Sequence, residues 1–209
     1  MNDILAFVIT AAACYFIGSL SFAVVFSKKR FGRDVRESGS GNAGTTNMIR
    51  TFGWKAGLTV FVADALKGAA GVLVGKVVFS FFGADALIGA YIGGIITCIG
   101  HIFPIFFNFK GGKGVATAIG SAIIIHPFTV FILLLLGVGI AAVSGFVSLG
   151  SITAVGIFPF AMWALFGVRE FFLALLLAAP VIICHRENII RLIEKRENKF
   201  APPSDKPKN

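Results

Sequence analysis

Three short polar stretches hold nearly all the chemistry this chain can offer. The first runs Ser38-Gly39-Ser40-Gly41-Asn42-Ala43-Gly44-Thr45-Thr46-Asn47-Met48-Ile49-Arg50. Glycines let backbone N–H groups approach an anion closely, hydroxyl and amide side chains add neutral donors, and Arg50 supplies a fixed positive fork. This composition reads as a cradle for phosphate or carboxylate, with Ser40, Gly41, Asn42, Gly44, Thr46, Asn47 and Arg50 as candidate ligands. The second stretch joins Gly100-His101-Ile102-Phe103-Pro104 to Lys110-Gly111-Gly112-Lys113-Gly114, a glycine loop with lysines at a helix start. The third is His185-Arg186-Glu187-Asn188-Ile189-Ile190-Arg191, running on to Glu197 and Lys199. A site able to hold two phosphates would need Arg50, Lys110, Lys113, Arg191 and Lys199 within reach of one another.

The elements that must bring them together are apolar. Of 209 residues, 56% are hydrophobic and 14% charged, and the mean hydropathy is +0.88. These values place the chain outside the soluble range, among polytopic all-α membrane proteins. Residues 1–200 read as one integral-membrane domain and 201–209 as a polar, disordered tail. Apolar runs fall at 4–26, 54–82, 86–107, 114–126, 128–144, 146–166 and 170–184. The first is too long for a signal-peptide core and lacks a basic leader, so it is expected to stay as a span.

Charge fixes the expected orientation. Of the 19 Lys and Arg residues, seven lie between Lys28 and Lys55, two are Lys110 and Lys113, and seven lie between Arg186 and Lys208. The positive-inside rule puts all three stretches in the cytoplasm and the N-terminus outside. Parity then requires the run 114–144 to break, and Pro127 disfavours helical geometry at His126. About seven spans result, with five crossings and two half-inserted pieces as the alternative. His126 itself reads as a structural residue of the outer turn. The net charge of +9 is explained by these flanking residues and lipid headgroups, so no nucleic acid is implied.

Other signatures fail on inspection. Gly39-Ser40-Gly41-Asn42-Ala43-Gly44 fits the dinucleotide fingerprint by letter, but no buried strand precedes it. Gly111-Gly112-Lys113-Gly114 lacks the P-loop spacing and its Ser or Thr. No His-x-x-x-x-Asp occurs and no Gly-x-Ser-x-Gly elbow flanks a serine, so an acyl group would have to arrive already activated. Cys14, Cys98 and Cys184 sit in apolar runs with no metal or disulfide spacing. Asp64 and Lys67, three apart in the second run, can pair on one helix face, either as a purely structural pair or as a brace beneath the site. A transporter of a phosphorylated solute would place its polar groups near the bilayer midplane, whereas here they gather at one face. A lipid-binding scaffold leaves the varied donors unexplained.

Taken in order, Ser40-Gly41-Asn42-Ala43-Gly44-Thr45-Thr46-Asn47, then Gly100-His101-Ile102-Phe103-Pro104 with Lys110-Gly111-Gly112-Lys113-Gly114-Val115-Ala116-Thr117, then His185-Arg186-Glu187-Asn188-Ile189-Ile190-Arg191-Leu192 with Glu197 and Lys199, closely resemble the three motifs of the bacterial PlsY family. The resemblance spans nearly the whole chain, with one departure at Lys195, where many members have glycine. It implies an integral-membrane enzyme of seven helices in the bacterial cytoplasmic membrane, with its active site on the cytoplasmic side. The implied reaction is acyl transfer from acyl phosphate to the primary hydroxyl of glycerol 3-phosphate, giving lysophosphatidate and phosphate, the first step of phospholipid synthesis. No cofactor, metal or obligatory protein partner is implied; the partners are the two substrates and membrane lipid.

On that footing Ser40, Asn42 and Arg50 with the first-stretch amides are expected to hold one phosphate. Lys113 and the glycines Gly111 and Gly112 hold another, and His185, Asn188 and Arg191 seat glycerol 3-phosphate. Ser40 and Arg50 count as candidate catalytic residues. His101 is the candidate base, with a substrate phosphate oxygen as the alternative proton acceptor.

Overall fold

The computed structural model describes residues 2–200, so the expected disordered tail at 201–209 lies outside the described residues. Among the described residues there are ten α-helices, two short 3₁₀ turns and no strand. The helices are α1 Asn2–Ser19, α2 Phe22–Phe31, α3 Thr45–Phe52, α4 Trp54–Phe81, α5 Ala86–Ile102, α6 Val115–Ile125, α7 Pro127–Ser144, α8 Val147–Phe166, α9 Val168–Cys184 and α10 Arg186–Ile193. The outward faces carry large apolar side chains, such as Phe81 at 82% and Val143 at 93% exposure, a distribution that only lipid makes favourable.

Among the described residues five segments are long and apolar enough to cross a bilayer: 2–31, α4, the segment 86–107, α7 and α8. The 11-residue α6 is only about 16 Å long at 1.5 Å per residue, roughly half a 30 Å hydrocarbon core. After α9 the chain bends by 61° into α10. The expected break is present: α6 ends at Ile125, and Pro127 occupies the first turn of α7, where its missing N–H costs nothing. The first apolar run departs from expectation, being interrupted at Leu20-Ser21 between α1 and α2.

Two ends of the bundle are distinct. At one, the α4–α5, α6–α7 and α8–α9 connections meet: Arg169 pairs with Asp85 at 2.6 Å, Tyr91 Oη lies 2.9 Å from His126 Nε2, and the His126 and Phe166 rings are 4.6 Å apart. At the other lie all three polar stretches and the α7–α8 turn.

Helix α4 is the hub, packing on α1, α3, α5 and α6. Small residues permit backbone-to-backbone approach without a hydrophobic driving force in lipid. A methyl on Gly75 would strike the Gly89 carbonyl, and one on Gly120 would strike the Ala65 carbonyl and Cα. Because α6 follows directly on the second polar stretch and α4 carries Asp64, this contact also sets the height of the site. Gly120→Ala should therefore separate α4 from α6 and cost roughly 1–3 kcal/mol, the usual penalty for overpacking. Gly139, with nothing within 4 Å of an added methyl, is the control. Thermal melts in detergent should show a lowered midpoint for Gly120→Ala and none for Gly139→Ala; equal melts would remove the close contact from the account.

Candidate active site

The three stretches meet, and specific side chains join them pairwise. Asp34 opens the first turn by accepting the Arg36 amide at 3.0 Å and the Arg36 guanidinium at 2.8 Å. Those bonds hold its carboxyl well down, at about 2. Arg36 also donates to the carbonyls of Phe107 (3.0 Å) and Lys110 (3.2 Å), which ties the first stretch to the second. Lys113 Nζ contacts Asn188 Oδ1, joining second to third. Arg50 Nη2 donates to the Asn198 carbonyl at 3.1 Å, joining first to third.

Inside the first stretch the loop is built around Asn47. Its Oδ1 accepts the Ser40 amide at 2.9 Å, and its Nδ2 lies 2.9 Å from the Val35 carbonyl and 3.0 Å from those of Ser38 and Asn42. The buried amide is thus spent on shaping the loop, and Asn47 is a positioning residue. The amides of Gly41 and Gly44 are also used locally, donating to Ser38 and Asn42 carbonyls at 3.1 and 3.0 Å. Gly41 has φ +70°, which favours glycine; Gly44 is extended. The uncommitted donors come from α3, whose N-terminus has no side-chain cap. Its first-turn N–H groups lack intrahelical acceptors, so this end is suited to an anion.

A cavity of about 600 Å³ opens here. Its polar end is lined by Ser40, Asn42, Gly44, Thr45, Thr46, Arg50, Asp64, His101, Lys113, His185, Asn188, Arg191 and Glu197. Asn47 also borders it. Gly41, Lys110, Gly111, Gly112 and Lys199 do not line it. Gly111 and Gly112 instead donate their amides to the Ile102 and His101 carbonyls at 3.2 Å, and an added methyl on either would strike His101. They let the loop pack against α5, so of the second stretch's expected phosphate ligands Lys113 lines the cavity while Gly111 and Gly112 do not. Lys110 is exposed and offers only its carbonyl to Arg36, while Lys199 lays its aliphatic stem beside Gly145.

His101 is 5% exposed. Its Nδ1 lies 3.5 Å from Asp64 Oδ1, an ion-pair distance too poorly aligned for a hydrogen bond, and Asp64 Oδ1 is 3.0 Å from Lys67 Nζ. The Asp64–Lys67 pair therefore stands directly behind the candidate base. His185 is buried, with Nδ1 2.8 Å from the Val181 carbonyl. A carbonyl only accepts, so Nδ1 carries the proton and a neutral ring presents Nε2 as acceptor.

The C-terminal strap closes the third side. Glu197 accepts from Ser148 Oγ (2.9 Å), Asn188 Nδ2 (2.7 Å) and Arg191 Nε (2.7 Å). Lys195 takes φ +55°, the conformation glycine would adopt most easily, so the backbone turn that suits glycine is kept here with a lysine. Further on, the Phe200 amide donates to the Gly145 carbonyl at 2.7 Å and its ring packs edge-on against Trp54 at 5.3 Å. Burial and the Arg191 charge push the Lys113 ammonium below the ordinary lysine range, with Glu197 only partly compensating. The site thus concentrates Arg50, Lys113 and Arg191 around one carboxylate. Beyond it the cavity continues as an apolar groove between α6, α7, α8 and α9.

Ser148 and Trp54 were not expected at the site, and of the two readings open for Asp64 the structure places it behind His101. Asp64 did announce itself as a charge in an apolar run. Nothing in the composition around Ser148 or Trp54 marks them.

The chain is similar along most of its length to known proteins. The family model described as glycerol-3-phosphate acyltransferase matches residues 8–195. A glycerol-3-phosphate acyltransferase of Clostridioides difficile is 36% identical over 199 residues, covering 95% of this chain and 98% of that protein. One from Aquifex aeolicus is 41% identical over 187 residues, covering 89% and 95%. A crystal structure of PlsY, an integral membrane glycerol 3-phosphate acyltransferase, in its glycerol 3-phosphate form superposes with TM-score 0.81 at 37% identity, covering 93% of this chain and 96% of that one. The lysophosphatidic acid form superposes with TM-score 0.80 at 33% identity, covering 93% and 95%.

The Glu197 clasp has a pH signature. Burial would raise its carboxyl, but the bonds from Arg191, Asn188 and Ser148 outweigh burial and hold it below the ordinary 4.5. A lowered folded-state pKa contributes stability that is full above the unfolded value and is lost as pH falls through the folded one. The strap should therefore stay protected near neutral pH and open only below about 4.5. Glu197→Gln should open it at pH 7 at a cost of roughly 2 kcal/mol, as when a charge-assisted bond is removed. Hydrogen exchange over residues 194–200 reads this directly, and unchanged protection in the variant would discard the clasp.

Proposed function

This chain belongs to the glycerol-3-phosphate acyltransferase family, and from that membership we propose that it transfers an acyl group from acyl phosphate to the primary hydroxyl of glycerol 3-phosphate. The products are lysophosphatidate and inorganic phosphate, in the first step of phospholipid synthesis. The observation that carries this reading is the single cavity, which joins a cluster of anion donors at one end to an apolar groove at the other. An acyl phosphate has the same two-part chemistry. Among the described residues no serine or cysteine of the site is hydrogen-bonded to a histidine, and the one serine beside a carboxylate, Ser148, shares Glu197 with Asn188 and Arg191, which favours an acyl group that comes with its own good leaving group.

The polar end divides between the two substrates. Ser40, Asn42, Gly44, Thr46, Arg50 and the open first turn of α3 hold one phosphate, and Lys113, Asn188 and Arg191 seat glycerol 3-phosphate by the other, with His185 Nε2 free to accept from a glycerol hydroxyl. Attack by the hydroxyl oxygen on the acyl carbonyl carbon forms the new ester bond. The carbon–oxygen bond to phosphate breaks, and the phosphate leaves with the electron pair. Preorganised cations stabilise charge developing on the departing phosphate.

The hydroxyl proton has two acceptors within this scheme. His101 takes it on Nε2, with Asp64 behind Nδ1, or a substrate phosphate oxygen takes it. His101→Gln separates the two under saturating substrate. A fall in kcat of about a hundredfold or more assigns the proton to histidine, and retention within a few-fold assigns it to the substrate. The donor itself is tested by giving purified protein acyl phosphate, acyl-CoA and acyl-carrier protein in turn with glycerol 3-phosphate. Lysophosphatidate should form from acyl phosphate alone, and product from either other donor without it would overturn the assignment.

The charge pattern supports a cytoplasmic-side site in the bacterial inner membrane. Single cysteines at the exposed positions Arg33, Lys110 and Lys195 of a Cys-free variant should label only from the cytoplasm, and one at Gly83 only from outside. Labelling of 195 from outside would reverse the orientation of the third stretch and remove it from the site.

A further inference from the structure

The apolar groove is not open-ended. Where it approaches the polar site its walls are made of small residues: Ala141 and Gly137 on α7, Gly150, Ser151 and Ala154 on α8. These leave the width of an extended chain. At the far end the lining changes to Val130, Phe158, Leu177 and Ala122, all under 9% exposed. One turn beyond, Met162 on α8 and Ala174 on α9 are fully buried and no longer line the cavity.

We propose that Phe158, backed by Val130, is the stop that sets the longest acyl chain the enzyme accepts. This rests on the acyl-transfer reading of the same cavity. From Ser148, hydrogen-bonded to Glu197 at the polar end, to Phe158 is ten residues of α8, about 15 Å. That is half of a roughly 30 Å hydrocarbon core, the depth reached by one leaflet's acyl chain. The occupant that fits is the tail of a donor whose head is an anion, because the groove is continuous with the cation cluster. Its length is limited by a rigid aromatic ring packed in the buried core that also includes Tyr91, Met162 and Leu177. A close-packed stop of this kind cannot yield by a methylene without repacking its neighbours.

The test measures kcat/KM for a series of saturated acyl phosphates in wild type, Phe158→Ala and Ala154→Leu. Ratios between donors within one preparation do not depend on the folded fraction, so partial misfolding leaves them readable. Phe158→Ala should raise use of donors two to four carbons longer than the wild-type optimum by about tenfold relative to that optimum, the scale of discrimination a pocket achieves per methylene. Ala154→Leu, one turn nearer the polar end, should shift the optimum shorter. If wild type makes lysophosphatidate from acyl phosphates and both variants keep its length profile, Phe158 is not the stop and the proposal falls while the assigned reaction stands. If only a different acyl donor supports product, the donor assignment falls, and the same length series run with that donor decides the role of Phe158.

Discussion

One buried ammonium ties the membrane part of this fold to its chemistry. Lys67 is 5% exposed in the middle of α4, and Nζ donates to the carbonyls of Gly18 (3.0 Å) and Leu20 (2.8 Å). These are the acceptors freed where α1 breaks before α2. In hydrocarbon such carbonyls have no water to turn to, so the break is tolerable only if a donor is supplied from elsewhere. The same Nζ pairs with Asp64, which in turn faces His101 on α5. Removing the cation would strand two carbonyls and a carboxylate together, and the cost of an unpaired buried charge far exceeds that of a lost surface pair. Helices α1, α4 and α5 are thereby fixed in height, and with them the loop that presents Lys113.

Above that pivot, several of the bonds that hold the first polar stretch to its neighbours end on backbone carbonyls and amides, while the third stretch is held by side-chain bonds to Glu197 and Asn188. Arg36 grips the second loop through two carbonyls, Asn47 grips its own loop through three carbonyls and an amide, and Arg50 reaches a carbonyl of the strap. Such bonds fix loop shape more tightly than salt bridges between exposed groups, whose worth is small. The first turn of α3, Lys113 and Arg191 are left to meet an anion. Preorganisation of this kind is what acyl transfer from an activated donor requires, since little covalent work falls to the protein.

Much of this was legible in the sequence because membrane proteins expose polar residues only for a reason. The three stretches, the seven apolar runs, the His126-Pro127 break and the convergence of charge at one face all follow from hydropathy, proline chemistry and the positive-inside rule. What escaped was the direction each polar group faces. A glycine-rich stretch looks alike whether its amides point at a ligand or at a neighbouring carbonyl. Hence Gly111 and Gly112 read as a cradle but serve to pack the loop on His101, and Asn47 reads as a ligand but serves as the loop's internal scaffold. Lys110 and Lys199 were placed by charge and by the motifs they belong to, yet both side chains are exposed and stand outside the cavity lining. The Asp64–Lys67 pair was visible at its i,i+3 spacing; its service as a brace depended on which helix packs opposite, which no local pattern encodes.

The carboxylate of Glu197 within the cation cluster bears on turnover. Three cations gathered without a counter-ion would bind phosphate in every form, substrate and product alike, and uniform binding adds nothing to the rate once the site is filled. Glu197 occupies Arg191 Nε and one Asn188 N–H, so part of the cationic potential is met inside the protein before any ligand arrives. Its other oxygen contacts reach Ser148 on α8, beside the start of the apolar groove. The same residue that meets part of the cationic potential therefore also joins the polar end of the cavity to the helix that forms the groove wall, and any shift of the strap would be felt at both ends of the proposed site at once.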